Sequence, residues 1–241
     1  MKTLVLTGAS RGIGHATVKR FSAAGWRIIT CSRQAFSEKC PWAAGPEDHI
    51  QVDLGDTDQV AEAIDQIKQR LDGAPLQALV NNAAISPKNA QGERLDTVNT
   101  DIQLWHSVFQ VNFFAPLLLV RGLLAELTEA QGVVINVTSI AGGRVHEFAG
   151  SAYATSKAAL AALTRELASD LGPRGVRVNA IAPGEIGTEM LSAGTEQLIE
   201  TLPLRRLGTP EEVASLIHFL SSSDANYISG SEIHINGGQH V

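Results

Sequence analysis

Seven short runs of β-branched and aliphatic residues alternate with longer helix-forming stretches, and this alternation leaves the chain few architectures. The runs are Thr3–Leu6, Arg27–Cys31, His49–Val52, Leu79–Val80, Val133–Val137, Arg177–Ile181 and Glu232–Ile235. Helical patterns cover Ile13–Ala24, Val60–Leu71, Ile102–Glu129, Ala152–Leu171 and Glu211–Leu220. Strands separated by helices pair in parallel, with helices on both faces of the sheet. Thr209-Pro210-Glu211-Glu212 predicts a helix start, with Thr209 as N-cap, Pro210 at the first helical position and Glu212 closing a capping box. The chain has 241 residues, 44% of them apolar, with no internal repeat and no linker-like segment. The expectation is one α/β domain over residues 1–241, a doubly wound Rossmann-type sheet of about seven strands.

Composition narrows the function. No window approaches the ~18 consecutive apolar residues of a membrane span. Too few apolar residues lie between Lys2 and Gly8 for a secretory leader. Two cysteines, Cys31 and Cys40, make a disulfide framework improbable and a reducing cytoplasm the default. The net charge is −6, with no basic patch dense enough for nucleic acid, and no metal is expected. One bias is local. Residues 1–37 hold no Asp or Glu but do hold Lys2, Arg11, Lys19, Arg20, Arg27 and Arg33, which points to an anionic ligand at this end.

Thr7-Gly8-Ala9-Ser10-Arg11-Gly12-Ile13-Gly14 lies between the first strand and the first helix. Glycines there let the backbone turn sharply and approach a pyrophosphate, whose charge the helix N-terminus attracts. The spacing is Gly-x-x-x-Gly-x-Gly, not the general dinucleotide pattern. A carboxylate ending the second strand suits NAD, and a basic residue suits the extra phosphate of NADP. Here the residues are Cys31-Ser32-Arg33, with no acid before Glu38. Ser32, Arg33 and Arg11 therefore predict NADP(H).

Tyr153 and Lys157 stand four residues apart on one helix face. A tyrosine normally ionises near pH 10. An ammonium at ~4 Å, with an effective dielectric of about 20, favours the phenolate by roughly 4 kcal/mol, or about three pKa units. Such a tyrosine exchanges a proton with an alcohol or ketone oxygen near neutral pH. The spacing alone is common on helix surfaces, so its weight depends on the rest of the chain.

The Ile102–Glu129 pattern is apolar almost all round at Trp105, Val108, Phe109, Val111, Phe113, Phe114, Leu117 and Leu118. A second buried face is expected, against another subunit or against the chain itself. Asn112 is the polar exception. Pro116 follows it by four residues, lacks an N–H and clashes with the Asn112 carbonyl, so a kink that frees this carbonyl is expected.

Together these motifs resemble the short-chain dehydrogenase/reductase family, in its single-domain branch, along the whole chain. Thr7–Gly14 matches its glycine motif. Asn81-Asn82-Ala83-Ala84 matches its Asn-Asn-Ala-Gly except for Ala84. Asn112, Ser139, Tyr153 and Lys157 match its catalytic tetrad. Pro183-Gly184, Ile186 and Thr188 match the segment at the nicotinamide amide, and Asp53 with Leu54 the adenine contact. The resemblance implies that NADPH gives hydride to a carbonyl carbon and Tyr153 protonates the oxygen. Ser139 would hold that oxygen, Lys157 would lower the Tyr153 pKa and hold the nicotinamide ribose, and the Asn112 carbonyl would hold a water joining Lys157 to solvent. Asn82, Ala83 and Ala84 would border the cofactor.

The substrate is less legible. Pocket loops are expected at 86–99, 144–148 and 185–203, with Ser139, Val145, Phe148, Met190 and Leu191 as pocket residues and the last loop as a lid. The nearest subgroup by resemblance is the 3-oxoacyl-thioester reductases. These grip an acidic carrier protein with basic residues. Here Glu126–Gly132 is acidic and only Arg174 matches, so a carrier protein is doubtful and a free ketone, quinone, sugar or coenzyme A ester stands beside it. A nucleotide sensor without activity is disfavoured because Tyr153 and Lys157 are both kept. The segments Tyr227–Gly230 and Ile235–Gly238 resemble the tail of tetrameric relatives, which implies a homotetramer or homodimer.

Overall fold

A computed structural model describes residues 1–36, 45–189, 191 and 194–241. The seven runs form one parallel sheet: β1 (Thr3–Thr7), β2 (Arg27–Ser32), β3 (His49–Gln51), β4 (Ala78–Asn81), β5 (Val133–Val137), β6 (Arg177–Pro183) and β7 (Glu232–Ile235), in the order β3-β2-β1-β4-β5-β6-β7. Central strands β1, β4 and β5 are buried along their whole length. This is why their sequences are continuous apolar runs rather than alternating ones.

Helices close both faces. On one, α1 (Gly12–Ala23) and α7 (Pro210–Leu220) pack around Phe21, Val18, Val213 and Ile217. On the other, α2 (Thr57–Leu71), α4 (Ala115–Gly122) and α6 (Ser151–Leu171) pack around Ile67, Leu119 and Leu167. The α7 capping box forms as the residues predict. Glu212 N–H donates to Thr209 Oγ1 at 3.2 Å, and Thr209 N–H donates to Glu212 Oε2 at 2.8 Å.

The Ile102–Glu129 stretch departs from one kinked helix. It divides into α3 (Ile102–Phe109), a π-helical turn at Gln110–Phe114, α4 and α5 (Leu124–Glu129). Ala115 N–H closes the wide turn onto Gln110 O, so the chain absorbs Pro116 by widening rather than by a sharp bend. A second break falls at Leu123. Gly122, just before it, abuts α2 so closely that a Cβ would lie 2.6 Å from Ile64. Phe114 (46% exposed) and Ile102 (62% exposed) remain open to solvent, so the chain covers this apolar face only in part.

Candidate active site

The connection leaving β1 passes over one face of the sheet through α1 and the connection leaving β4 passes over the other through α4, and a parallel sheet opens a crevice at such a point. A cleft of ≈ 770 Å³ lies at these strand ends. One end is glycine-rich. Gly8 and Gly12 have φ of +71° and +53°. A Cβ on Gly14 would sit 2.0 Å from Gly8 O, so the loop coils against itself too tightly for a side chain. Asn82 secures it, donating from Nδ2 to Thr7 O and Gly8 O, both at 3.0 Å. Helix α1 starts here with no capping side chain and no acid in its first turn, so its first amides suit an anion. This open, acid-free glycine cradle fits a dinucleotide pyrophosphate.

The six N-terminal cations do not all serve this end. Arg27 is bound to Asp48 at 2.8 and 3.0 Å, and Lys2 lies over the Trp26 ring at 5.3 Å. Only Arg11 and Arg33 border the cleft. Arg11 also meets Glu189 across it at 3.2 Å, an exposed pair of little energetic weight. The Ser32 hydroxyl donates to Gln34 O at 2.9 Å. Ser10, Ile13, Asp53, Leu54, Asn82, Ala83, Ala84, Pro183, Gly184, Ile186 and Thr188 line the cleft as well. The only described non-glycine residues with positive φ are Asp72, Gln131 and Arg205, so Ala84 carries its methyl without strain. Glu38 and Cys40 lie outside the described residues, and Cys31 is buried in β2, where desolvation pushes its thiol up to about 12.

Ser139, Tyr153 and Lys157 meet at the other end of the cleft. Ser139 lies two residues beyond β5 and caps a short 3₁₀ turn. Its Oγ accepts the Ala141 N–H at 3.1 Å, which leaves its proton free to donate elsewhere. Tyr153 lies in the first turn of α6. Desolvation raises its pKa most, a side-chain hydrogen bond with Ser139 opposes this, and the Glu185 charge raises it further. Lys157 is buried, with Nζ 2.6 Å from Val137 O and 5.7 Å from the centre of the Tyr153 ring. Desolvation brings its pKa down to about 7.

One expectation meets a difference: the net shift on Tyr153 is upward rather than toward the phenolate, because desolvation outweighs the Ser139 hydrogen bond and Glu185 adds to it. One further expectation changes. Val145 is 79% exposed and does not border the cleft, because the short loop after the 3₁₀ turn faces it outward. Asn112 stands behind the cleft wall rather than in it. Its Oδ1 accepts Ile85 N–H at 2.9 Å, and its Nδ2 donates to Ile85 O and to Ser156 Oγ, both at 3.0 Å. Ser156 in turn donates to Tyr153 O at 2.7 Å, so Asn112 ties the loop after β4 to the turn that carries the tyrosine. Phe148 and Leu191 line the cleft, and Met190 lies outside the described residues.

Lys88 and Glu185, which fall inside the pocket loops expected at 86–99 and 185–203 but were given no role of their own, both line the cleft. Glu185 directly follows the Pro183-Gly184 motif, which was a signal to use. Lys88 sits in a loop with no motif.

A family model described as enoyl-(acyl carrier protein) reductase matches residues 8–240. The chain belongs to the short-chain dehydrogenase/reductase family of oxidoreductases. Among its relatives, Protein FixR of Bradyrhizobium diazoefficiens is 61% identical over 242 residues, covering 100% of this chain and 87% of that protein. The 3-oxoacyl-(acyl-carrier-protein) reductase FabG of Aquifex aeolicus is 33% identical over 250 residues, covering 98% of this chain and 96% of that enzyme. A family oxidoreductase from Brucella ovis, solved in complex with a partially ordered NAD, is 62% identical with a TM-score of 0.85 and covers 98% of this chain and 99% of that one. The chain is an oxidoreductase of this family with a seven-stranded, Rossmann-like parallel sheet. Among the described residues, no helix is long and apolar enough to cross a membrane.

Proposed function

We propose that this family member is a single-domain, NADPH-dependent reductase that converts a ketone to a secondary alcohol. The observation that carries the reading is the pairing of two hydroxyl donors in one cleft: Ser139, whose oxygen is already engaged by Ala141, and Tyr153, whose raised pKa keeps it protonated at neutral pH. Two converging donors polarise a carbonyl oxygen and stabilise the negative charge that grows on it. A bound nicotinamide dinucleotide supplies the hydride. Gly8, Gly12 and the first amides of α1 hold its pyrophosphate, and Lys157 lies in reach of the same cavity. Ser139 positions the carbonyl oxygen while Tyr153 gives it a proton. Lys157, close to its midpoint at neutral pH, passes a proton back to Tyr153. The Asn112 carbonyl, which Pro116 leaves without an N–H donor, is the proposed seat of a water that reloads Lys157.

The NADPH preference rests on Arg11 and Arg33 at the cleft wall and on the lack of an acid ending β2. The Brucella ovis relative, solved with NAD, favours NADH as a second reading. The substrate is a 3-oxoacyl thioester or a small free ketone. A carrier protein is a poor fit beside Glu126 and Glu129. A second copy of the chain covers the α3–α4 face, giving a homodimer or homotetramer.

The test is a carbonyl and enoyl-thioester panel assayed with NADPH and with NADH. Ketone reduction is expected, with Arg33→Ala lowering kcat/KM for NADPH about tenfold and leaving NADH unchanged, the worth of one charge-assisted hydrogen bond. Tyr153→Phe is expected to lose at least about 100-fold in turnover with dinucleotide binding intact. Reduction of enoyl thioesters alone, or full activity in Tyr153→Phe, defeats the reading.

A further inference from the structure

Lys88 places an ammonium in the cleft with nothing to hold it. Its Nζ is buried and has no hydrogen-bond partner, and among the described residues no carboxylate lies within ion-pair distance. A buried donor left open destabilises the fold, and more so when it is charged. Such a group persists where something outside the chain completes it.

The position is built, not incidental. Lys88 and Arg94 form a two-residue antiparallel bridge that closes a tight loop. Inside it Asn89 Oδ1 accepts the amides of Gln91 and Glu93 at 3.0 and 2.8 Å. Arg94 fastens the loop to the start of α6, donating to Ala149 O at 2.9 Å and toward Ser151 Oγ at 3.4 Å. The loop that carries Lys88 is thereby tied to the first turn of α6, where Tyr153 lies two residues beyond Ser151.

The nearby carboxylate is committed elsewhere. Glu185 Oε1 lies 2.8 Å from His146 Nε2, and both side chains are almost buried. His146 Nδ1 accepts the Phe148 N–H at 3.3 Å, which assigns the ring proton to Nε2 and makes His146 a donor to Glu185. Glu185 and Arg94 act on Lys88 from a distance with opposite signs, and burial outweighs both. The free donors of Lys88 therefore await an acceptor from the substrate.

We propose that Lys88 is a specificity-determining residue that binds a carboxylate of the substrate, so that the ketone acted on is a small oxo acid. This deepens the ketone-reductase reading and rests on it for the substrate's carbonyl. An ammonium–carboxylate hydrogen bond is about twice as strong as a neutral one and is strengthened in a desolvated cleft. A site built to pair a substrate group rejects the analogue that lacks it.

The experiment measures binding separately from turnover. Protein saturated with NADP⁺, and separately with NAD⁺, is titrated by calorimetry with acetoacetate, 4-oxopentanoate and 5-oxohexanoate, with their methyl esters, and with dihydroxyacetone as a neutral hydroxyketone. At least one oxo acid is expected to bind 10-fold or more tightly than its ester and than dihydroxyacetone. Lys88→Met is expected to abolish that preference and Lys88→Arg to keep part of it, with dinucleotide affinity unchanged in both and the melting temperature of Lys88→Met raised, since it removes the open buried donor. In turnover the Met change is expected in KM rather than kcat. Equal binding of acid and ester, preference for the hydroxyketone, or an acid preference that survives Lys88→Met overturns the proposal. Carboxylate binding that depends on Lys88 without turnover of any ketone upholds it and removes the ketone-reductase reading instead.

Discussion

Lys157 makes the stability of the dinucleotide-free protein depend on pH in a direction that can be worked out in advance. Its folded pKa is about 7, against an ordinary value of 10.5, and burial is the cause. A lysine whose pKa falls on folding opposes folding most fully below the folded value. That opposition fades as pH rises toward the unfolded one. At pH 6 the lysine must be protonated in a desolvated site, at a cost of about 5 kcal/mol by linkage. At pH 9 the folded lysine is neutral and the remaining cost is about 2 kcal/mol. The native protein should therefore gain about 3 kcal/mol between pH 6 and pH 9 from this residue alone. Lys157→Met removes the titration. It also removes the bond to Val137 O, which costs about 1–3 kcal/mol at every pH. The variant is thus expected to be the more stable protein at pH 6, and its advantage should shrink or reverse by pH 9. Urea unfolding at both pH values, without dinucleotide, gives the difference directly. Parallel shifts in the two proteins would show that Lys157 titrates normally, and the argument for a lysine poised near neutrality would go with it.

Two other substitutions test the frame around the site. Gly14→Ala places a Cβ 2.0 Å from Gly8 O, so the glycine loop must open. Dinucleotide affinity is expected to fall at least about 100-fold with a stability loss of about 1–3 kcal/mol. Titration of cofactor fluorescence and thermal unfolding read the two effects, and unchanged affinity would remove the loop from the binding site. Phe114→Lys puts a charge at the exposed end of the half-buried aromatic row of Trp105, Phe109, Phe113 and Phe114. If a second copy covers that row, light scattering will show a smaller assembly for the variant and a larger one for the parent. A parent that is monomeric at micromolar concentration refutes the covered-face reading.

The sheet was readable because short apolar runs, continuous in the central strands, stand between helix-length spacers, and only parallel pairing satisfies that pattern. Helix ends with chemical caps were readable too, as at Thr209. The middle helix was not. A missing N–H at Pro116 says that the ladder must break, but whether it bends or widens depends on what packs beside it. Here Asn112 holds Ile85 and Ser156 through three hydrogen bonds, which fixes that turn in place. Motif residues at the ends of β1, β4 and β5 converged on the cleft because strand ends in one sheet are neighbours by construction.

What local spacing could not supply was the state of each group. Tyr153 and Lys157 are four residues apart, and that separation alone predicts mutual attraction. In the fold both are desolvated, Lys157 turns toward Val137 O, and the charge that reaches Tyr153 comes from Glu185, which is 32 positions further along the chain. Lys88 escaped for the same reason, since its importance lies in the absence of a partner that only the folded loop reveals. The two shifts act together. A phenol kept protonated and a lysine close to its midpoint form a proton donor with a reserve behind it, which suits the delivery of a proton to a nascent alkoxide. Taking a proton from an alcohol requires the phenolate, which desolvation and Glu185 both oppose. For the proposed reductase, this arrangement predicts that carbonyl reduction is fastest near neutral pH and that alcohol oxidation speeds up under alkaline conditions, which initial rates in the two directions across pH would check.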